Sequence, residues 1–182
     1  MSKVLVIVAH PDDEVLGCGG TMFKHDDVEV IIADLGREDP IDQRFETRPL
    51  IDWIALILKE IKDYQPDIVY THCSSDINRD HRVIHEAVLV ATRPPCSVKE
   101  LYGFDVTSDW GFNQFGSFNP NVFVDVTRYI EQKIDAMKDY TEEVRKFPHP
   151  RSSEMIRAKA QRYGQVIGVP YAEAFEVIRL IR

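Results

Sequence analysis

The chain has 182 residues, 44% of them hydrophobic, enough to bury one core. Lys and Arg number 22 against 30 Asp and Glu, a formal charge of −8, which argues against nucleic acid or an anionic membrane as a partner held by bulk electrostatics. No apolar run nears the ~20 residues that cross a bilayer, and Cys18, Cys73 and Cys96 neither pair off nor show metal-knot spacing, so a reducing, cytoplasmic setting is expected.

Residues 4–9, VLVIVA, form a short, β-branched, continuously apolar run, the pattern of a strand buried on both faces of a parallel sheet. Runs at 28–33, 67–71 and 122–126 read the same way, and 101–106 is a weaker strand. Helical spacing fills the intervals at 13–24, 48–64, 81–92, 127–146, 153–163 and 172–179. In the second of these Leu50, Ile54, Ile57, Leu58 and Ile61 make one apolar stripe, with Lys59, Glu60, Lys62 and Asp63 on the wet side. Strands alternating with helices of this length predict an α/β fold, Rossmann-like, with a mostly parallel β-sheet flanked by helices in three layers, α/β/α. No repeat or linker divides the sequence, so residues 1–182 are expected to form a single domain. Two irregular stretches, 36–47 and 107–121, are expected to wall a pocket; the second carries Trp110, Phe112, Phe115 and Phe118.

The first strand runs straight into His10-Pro11-Asp12-Asp13-Glu14, and Gly17-Cys18-Gly19-Gly20 follows. One imidazole and three carboxylates within five residues need something positive among them, and a divalent cation is the simplest candidate. His10 and Asp13 can point at one centre with Asp12 beside it, and a mixed set of imidazole and carboxylate suits Zn(II) or Fe(II) better than Mg(II). The competing reading makes Asp12 and Asp13 caps of the next helix and His10 a packing residue. The glycines do not fit GxGxxG, and the acids before them would repel a dinucleotide phosphate.

A second polar loop follows the strand at 67–71, running from His72 through Asp76, Asn78 and Asp80 to His81 as a helix opens. In a parallel sheet both loops leave the same edge, so His81 can complete a three-ligand set with His10 and Asp13. Two His and one Asp leave a coordination position open for water, as catalytic sites do. Asp80 is then placed to support a ligand from behind. His85 lies one turn after His81 and offers a competing pair on the same helix face, although HExxH itself is absent.

Together, AHPDDE with GCGGT and then DINRDHRVIHEAV resemble the PIG-L/LmbE family of metal-dependent N-acetylglucosaminyl de-N-acetylases. The stretches 62–93, 118–126, 149–152 and 171–175 look like the members that act on N-acetylated sugars and sugar nucleotides, so the likeness covers most of the chain. The resemblance implies zinc held by His10, Asp13 and His81, with Fe2+ or another divalent metal as alternatives, and Asp12 as general base. Asp12 is also the carboxylate that the three-ligand set leaves over. Two departures stand out. Many members carry HPDH where this chain has Asn78-Arg79-Asp80-His81, so Asn78 replaces the family's auxiliary histidine. An amide donates a hydrogen bond but carries no proton, so Asn78 is expected to act as a neutral donor and Asp80 to orient the loop or a ligand. The second departure is a shortened 36–47 region, which would leave one pocket wall altered or supplied by a second subunit.

The expected reaction is hydrolysis of an acetamide by water that the metal and Asp12 activate together. Arg151, with His149, is expected to read an anionic group on the substrate. The expected partner is a small N-acetylated sugar or sugar nucleotide, in a chain that could form a homo-oligomer. Two readings compete with this one: an amidase acting on a thiol or antibiotic conjugate, and a sugar- or nucleotide-binding module with a vestigial metal site.

Overall fold

A computed structural model of the chain describes residues 2–33, 44–106 and 116–182. Among the described residues six strands, β1 (Val4–Val8), β2 (Val28–Ile32), β3 (Ile68–His72), β4 (Glu100–Phe104), β5 (Val122–Asp125) and β6 (Ala172–Leu180), form one sheet in the order β2-β1-β3-β4-β6-β5. Pairings from β2 to β4 are parallel, and β6 runs antiparallel to both β4 and β5. Helices α1 (Asp13–Met22), α4 (Ile130–Asp139) and α5 (Ser153–Ile167) cover one face, and α2 (Leu50–Tyr64) with α3 (Arg79–Ala91) covers the other. The three-layer α/β architecture is the one the sequence predicts, with a sheet that is mixed at its β5 edge.

β1 shows why its sequence is apolar at every position. Val4, Val6 and Val8 pack with Val15, Ile130, Ile134 and Ile156 on one face, while Leu5 and Ile7 pack with Trp53, Ile57 and Ile84 on the other. The β1 to β2 crossover carries α1 on one face, and the β2 to β3 crossover carries α2 on the opposite face. Chain order therefore reverses between β1 and β3. The crevice beyond their carboxyl ends is the switch point at which open α/β sheets bind ligands.

The expected helix over 172–179 is a strand. Ala and Glu at its start favour a helix, and two glutamates mask the alternation, but tertiary partners decide the outcome. Phe175 and Val177 face the core under α1, α4 and α5, whereas Ile178 faces the other core. Glu173 is buried because α1 supplies its partners. That helix breaks at Cys18 (φ −139°, ψ 20°), which frees amides at the start of its second segment. Gly20 and Thr21 donate their N–H groups to Glu173 Oε1 and Oε2 at 2.8 and 2.7 Å. Lys133 of α4 completes the arrangement, its Nζ 2.5 Å from Glu173 Oε1 and 2.9 Å from the Leu16 carbonyl. Gly17 sits at the tightest point of α1, where an added Cβ would come within 2.2 Å of the buried Phe104 ring.

The Lys133–Glu173 pair is almost wholly buried, so removing one charge strands the other. Lys133→Met is expected to destabilise the fold by about 3–5 kcal/mol, read as a lower urea midpoint. An unchanged midpoint would show that the pair contributes nothing. Elsewhere α4 ends at Asp139 rather than near 146, and α5 runs on to Ile167, where Gly168 closes it at φ 74°. Ser152 caps α5 by accepting the Met155 N–H at 3.2 Å.

Candidate metal centre

The β1 and β3 ends bring the two sequence motifs together. His10 Nδ1 lies 3.1 Å from His81 Nε2, His81 Nε2 lies 3.2 Å from Asp13 Oδ2, and His10 Nδ1 lies 3.4 Å from Asp13 Oδ2. These edges match the ~3.3 Å edge of a tetrahedron with metal bonds of ~2.0 Å. The outward nitrogens of both rings face carboxylates: His10 Nε2 is 3.1 Å from Asp80 Oδ2, and His81 Nδ1 is 2.7 Å from Asp76 Oδ2. With their protons on that outer side, the two rings turn bare nitrogens toward each other and toward Asp13. Three acceptors so close need protons or a cation among them, and the donor set of two imidazoles and one carboxylate fits zinc.

The charges tell the same story. Burial works against protonation of His10, but hydrogen bonds to Asp13 and Asp80 outweigh it and push its pKa up to about 9. His81 is likewise pushed to about 9, burial being overcome by Asp13 and Asp76. Burial would raise Asp13, yet the neighbouring imidazoles hold it well below the usual carboxylate range. A divalent cation would displace the two protons and take over their part in balancing these carboxylates.

Asp12 does not cap α1. It stands at the N-cap in a left-handed conformation (φ 93°, ψ −25°) with no side-chain capping bond. Such a φ strains a residue with a side chain, by about 1–3 kcal/mol. Its carboxylate is 1% exposed, and neither oxygen accepts a hydrogen bond among the described residues. Burial lifts its pKa to about 7, against the opposing pull of Arg151. Arg151 Nη1 lies 3.2 Å from Asp12 Oδ2, an ion pair without hydrogen-bond alignment, and also contacts Glu143 Oε2 at short range. Asp12 is thus a strained, buried carboxylate short of hydrogen bonds among the described residues, set beside His10, Asp13 and His81.

The remaining expectations divide. Asp80 supports His10 from behind and also accepts the Phe45 N–H at 3.1 Å. Asn78 is the N-cap of α3, where its Oδ1 accepts the Asp80 N–H at 2.9 Å, so the structure gives it a capping contact. His149 Nδ1 accepts the Arg151 backbone N–H at 3.1 Å. His85 is no partner of the cluster: its Nδ1 donates to the His72 carbonyl at 2.7 Å. Phe118 lies edge-on to Tyr163, 6.5 Å between ring centres, while Trp110, Phe112, Phe115 and most of the 36–47 stretch fall outside the described residues.

Sequence reasoning missed four participants. Asp76 was visible in the motif, five residues before His81, but nothing in the spacing gave it a role. His72 is fully buried and stacks flat on His81, ring centres 4.0 Å apart at 13°, with Nε2 accepting the Ala9 N–H at 3.0 Å. Burial holds its pKa well below the usual histidine value, so it stays neutral. Phe45 backs His10 at 5.8 Å and stacks on Trp53. Glu143 carried no sequence signal at all.

No family model matches the chain. It is 28% identical over 173 residues to a protein of Escherichia coli K12 named uncharacterized deacetylase YaiS, spanning 75% of this chain and 89% of that one. Among solved structures, the conserved protein TT1542 of Thermus thermophilus superposes with TM-score 0.73 at 19% identity, covering 100% of this chain and 97% of that one. The N,N'-diacetylchitobiose deacetylase of Pyrococcus horikoshii gives TM-score 0.70 at 21% identity over 97% of this chain and 84% of its own. GalB, the 4-carboxy-2-hydroxymuconate hydratase of Pseudomonas putida KT2440, gives 0.69 at 16% identity over 98% and 96%. Motifs, curated relative and fold point the same way: the chain resembles the PIG-L/LmbE-type deacetylases and shares their fold.

Proposed function

We propose that the chain is a zinc-dependent hydrolase that removes the acetyl group from an N-acetylamino sugar or a related sugar conjugate. The observation that carries this is the triangle of His10, Asp13 and His81 with Asp12 buried beside it, uncommitted to any hydrogen bond among the described residues. The relative named a deacetylase and the chitobiose deacetylase of the same fold support the reading. A hydratase has the same fold, so the fold alone does not select the reaction.

His10, Asp13 and His81 would hold the ion, which when bound polarises the acetamide carbonyl and lowers the pKa of water toward ~7. Asp12 accepts a proton at a carboxylate oxygen as water adds to the acetamide carbon. It returns that proton to nitrogen as the C–N bond breaks, giving acetate and an amine. Arg151 steadies the Oδ2 side of the carboxylate and leaves Oδ1 to move the proton. His149 fixes the Arg151 backbone. Because Asp12 and Glu143 already share the guanidinium, an anionic substrate group would have to compete for it. Neutral N-acetyl sugars are therefore the favoured class over nucleotide diphosphates.

The test is acetate release by zinc-loaded protein from N-acetylglucosamine, N,N'-diacetylchitobiose and a uridine-diphosphate N-acetyl sugar. Release that a chelator stops and zinc restores is expected, with the neutral sugars ahead. Protein that binds zinc yet releases no acetate from any of them would favour the hydration or binding-module alternatives.

A further inference from the structure

We propose that Asp76 is a positioning residue for the metal centre: its buried carboxylate fixes the His81 tautomer that turns Nε2 toward His10 and Asp13, and so sets the affinity for a divalent cation. The inference rests on the reading of these residues as a zinc site and adds a determinant that the ligand set does not contain. Asp76 and His81 are each 1% exposed and meet at 2.7 Å, so no water competes for the contact. The other oxygen, Oδ1, accepts the Asn78 N–H at 2.8 Å. Arg82 binds the carbonyls of Asp76 and Ile77 at 2.5 and 2.8 Å, which pins the loop from the helix side. His72 stacks flat on the His81 ring and leaves it one plane to occupy.

Two donors, His81 Nδ1–H and Asn78 N–H, thus converge on two carboxylate oxygens. An amide offers only one acceptor oxygen. Asp76→Asn therefore fails in either orientation. With its oxygen toward His81, the NH2 group meets the Asn78 N–H. With its NH2 toward His81, the ring must move its proton to Nε2 and lose the lone pair that faces the ion. Outer partners of this kind change metal affinity by ~10–100-fold. Asp80 is built alike for His10, with one oxygen on the ring and one on the Phe45 N–H, but the His10 side chain is 25% exposed and water can replace the carboxylate there. Asp80→Asn should weaken binding less than Asp76→Asn.

The experiment is competition of the full chain with a chromophoric chelator for Zn2+, run on the parent, Asp76→Asn, Asp76→Glu and Asp80→Asn. Expected is a ~10–100-fold weaker Kd for Asp76→Asn, partial recovery in Asp76→Glu, which again offers two acceptors, and a smaller loss for Asp80→Asn. Should the asparagine variant not fold, the parent alone decides. Its cobalt(II) form should show a hyperfine-shifted proton resonance present in H2O and absent in D2O, from the His81 ring N–H that the buried Asp76 carboxylate shields from exchange. Zinc binding by Asp76→Asn within about twofold of the parent, or a cobalt spectrum with no such exchangeable resonance, overturns the proposal. Either result leaves the deacetylase reading intact if the parent releases acetate. Weakened zinc binding without acetate release upholds the role of Asp76 and removes the deacetylase reading, whereas a parent that takes up neither metal removes both.

Discussion

Asp12→Asn should bind zinc as the parent does and lose turnover by about 10²–10⁴-fold, the usual contribution of a positioned general base. The substitution keeps the shape and the short side chain that the left-handed backbone at φ 93° accommodates. It also removes a carboxylate whose oxygens accept no hydrogen bond among the described residues and whose burial opposes its charge. The variant gives up the ion pair with Arg151 but is relieved of the larger cost of burying that charge, so the thermal midpoint should stay level or rise. Activity and stability would move in opposite directions, as they do when a residue is retained for chemistry at a cost in stability. Three measurements check this together: zinc per chain, Tm and acetate release. Near-normal turnover in this variant would remove Asp12 as the base.

His81→Ala should do the reverse and lose the ion along with turnover. His81 supplies one of the three converging atoms, so its removal should exceed the ~10–100-fold loss expected from an outer partner. It also leaves Asp13 and Asp76, each 1% exposed, facing a gap without the imidazole that holds both carboxyls low. A folded-state penalty of about 3–5 kcal/mol is expected, since two buried charges lose their partner. Zinc content should be measured on the monodisperse folded fraction, so that metal loss is not confused with unfolding. Full zinc occupancy in that fraction would show that His81 is not a ligand.

The parts of this site that were legible share one property: their geometry follows from a strand ending. Once 4–9 and 67–71 are parallel neighbours, the loops holding His10, Asp13 and His81 must leave one edge, and the convergence follows. What could not be read is which ring nitrogen faces inward. His10 uses Nδ1 and His81 uses Nε2, and each choice is set by a carboxylate distant in fold or loop, Asp80 for one and Asp76 for the other. The sequence placed Asp80 behind a ligand but could not say which. For Arg151 the sequence suggests a contact with substrate anions; its contact with Asp12, more than a hundred residues away in sequence, carries no local signal. The sequence of β6 suggests a helix for a related reason. Glu173 looks like a solvent-facing helix residue until the break in α1 and Lys133 of α4 supply its partners. Apart from Asp76, only five residues before His81, the deciding interactions lie between distant segments, where local periodicity carries no information.

The most direct measurement is the anomalous difference density of a zinc-loaded crystal, collected on both sides of the zinc absorption edge. One peak per chain is expected, bonded at ~2.0 Å to His10 Nδ1, His81 Nε2 and an oxygen of Asp13, with the Asp12 carboxylate outside bonding distance. A peak held instead by other side chains, or no peak from protein saturated with zinc, would contradict it.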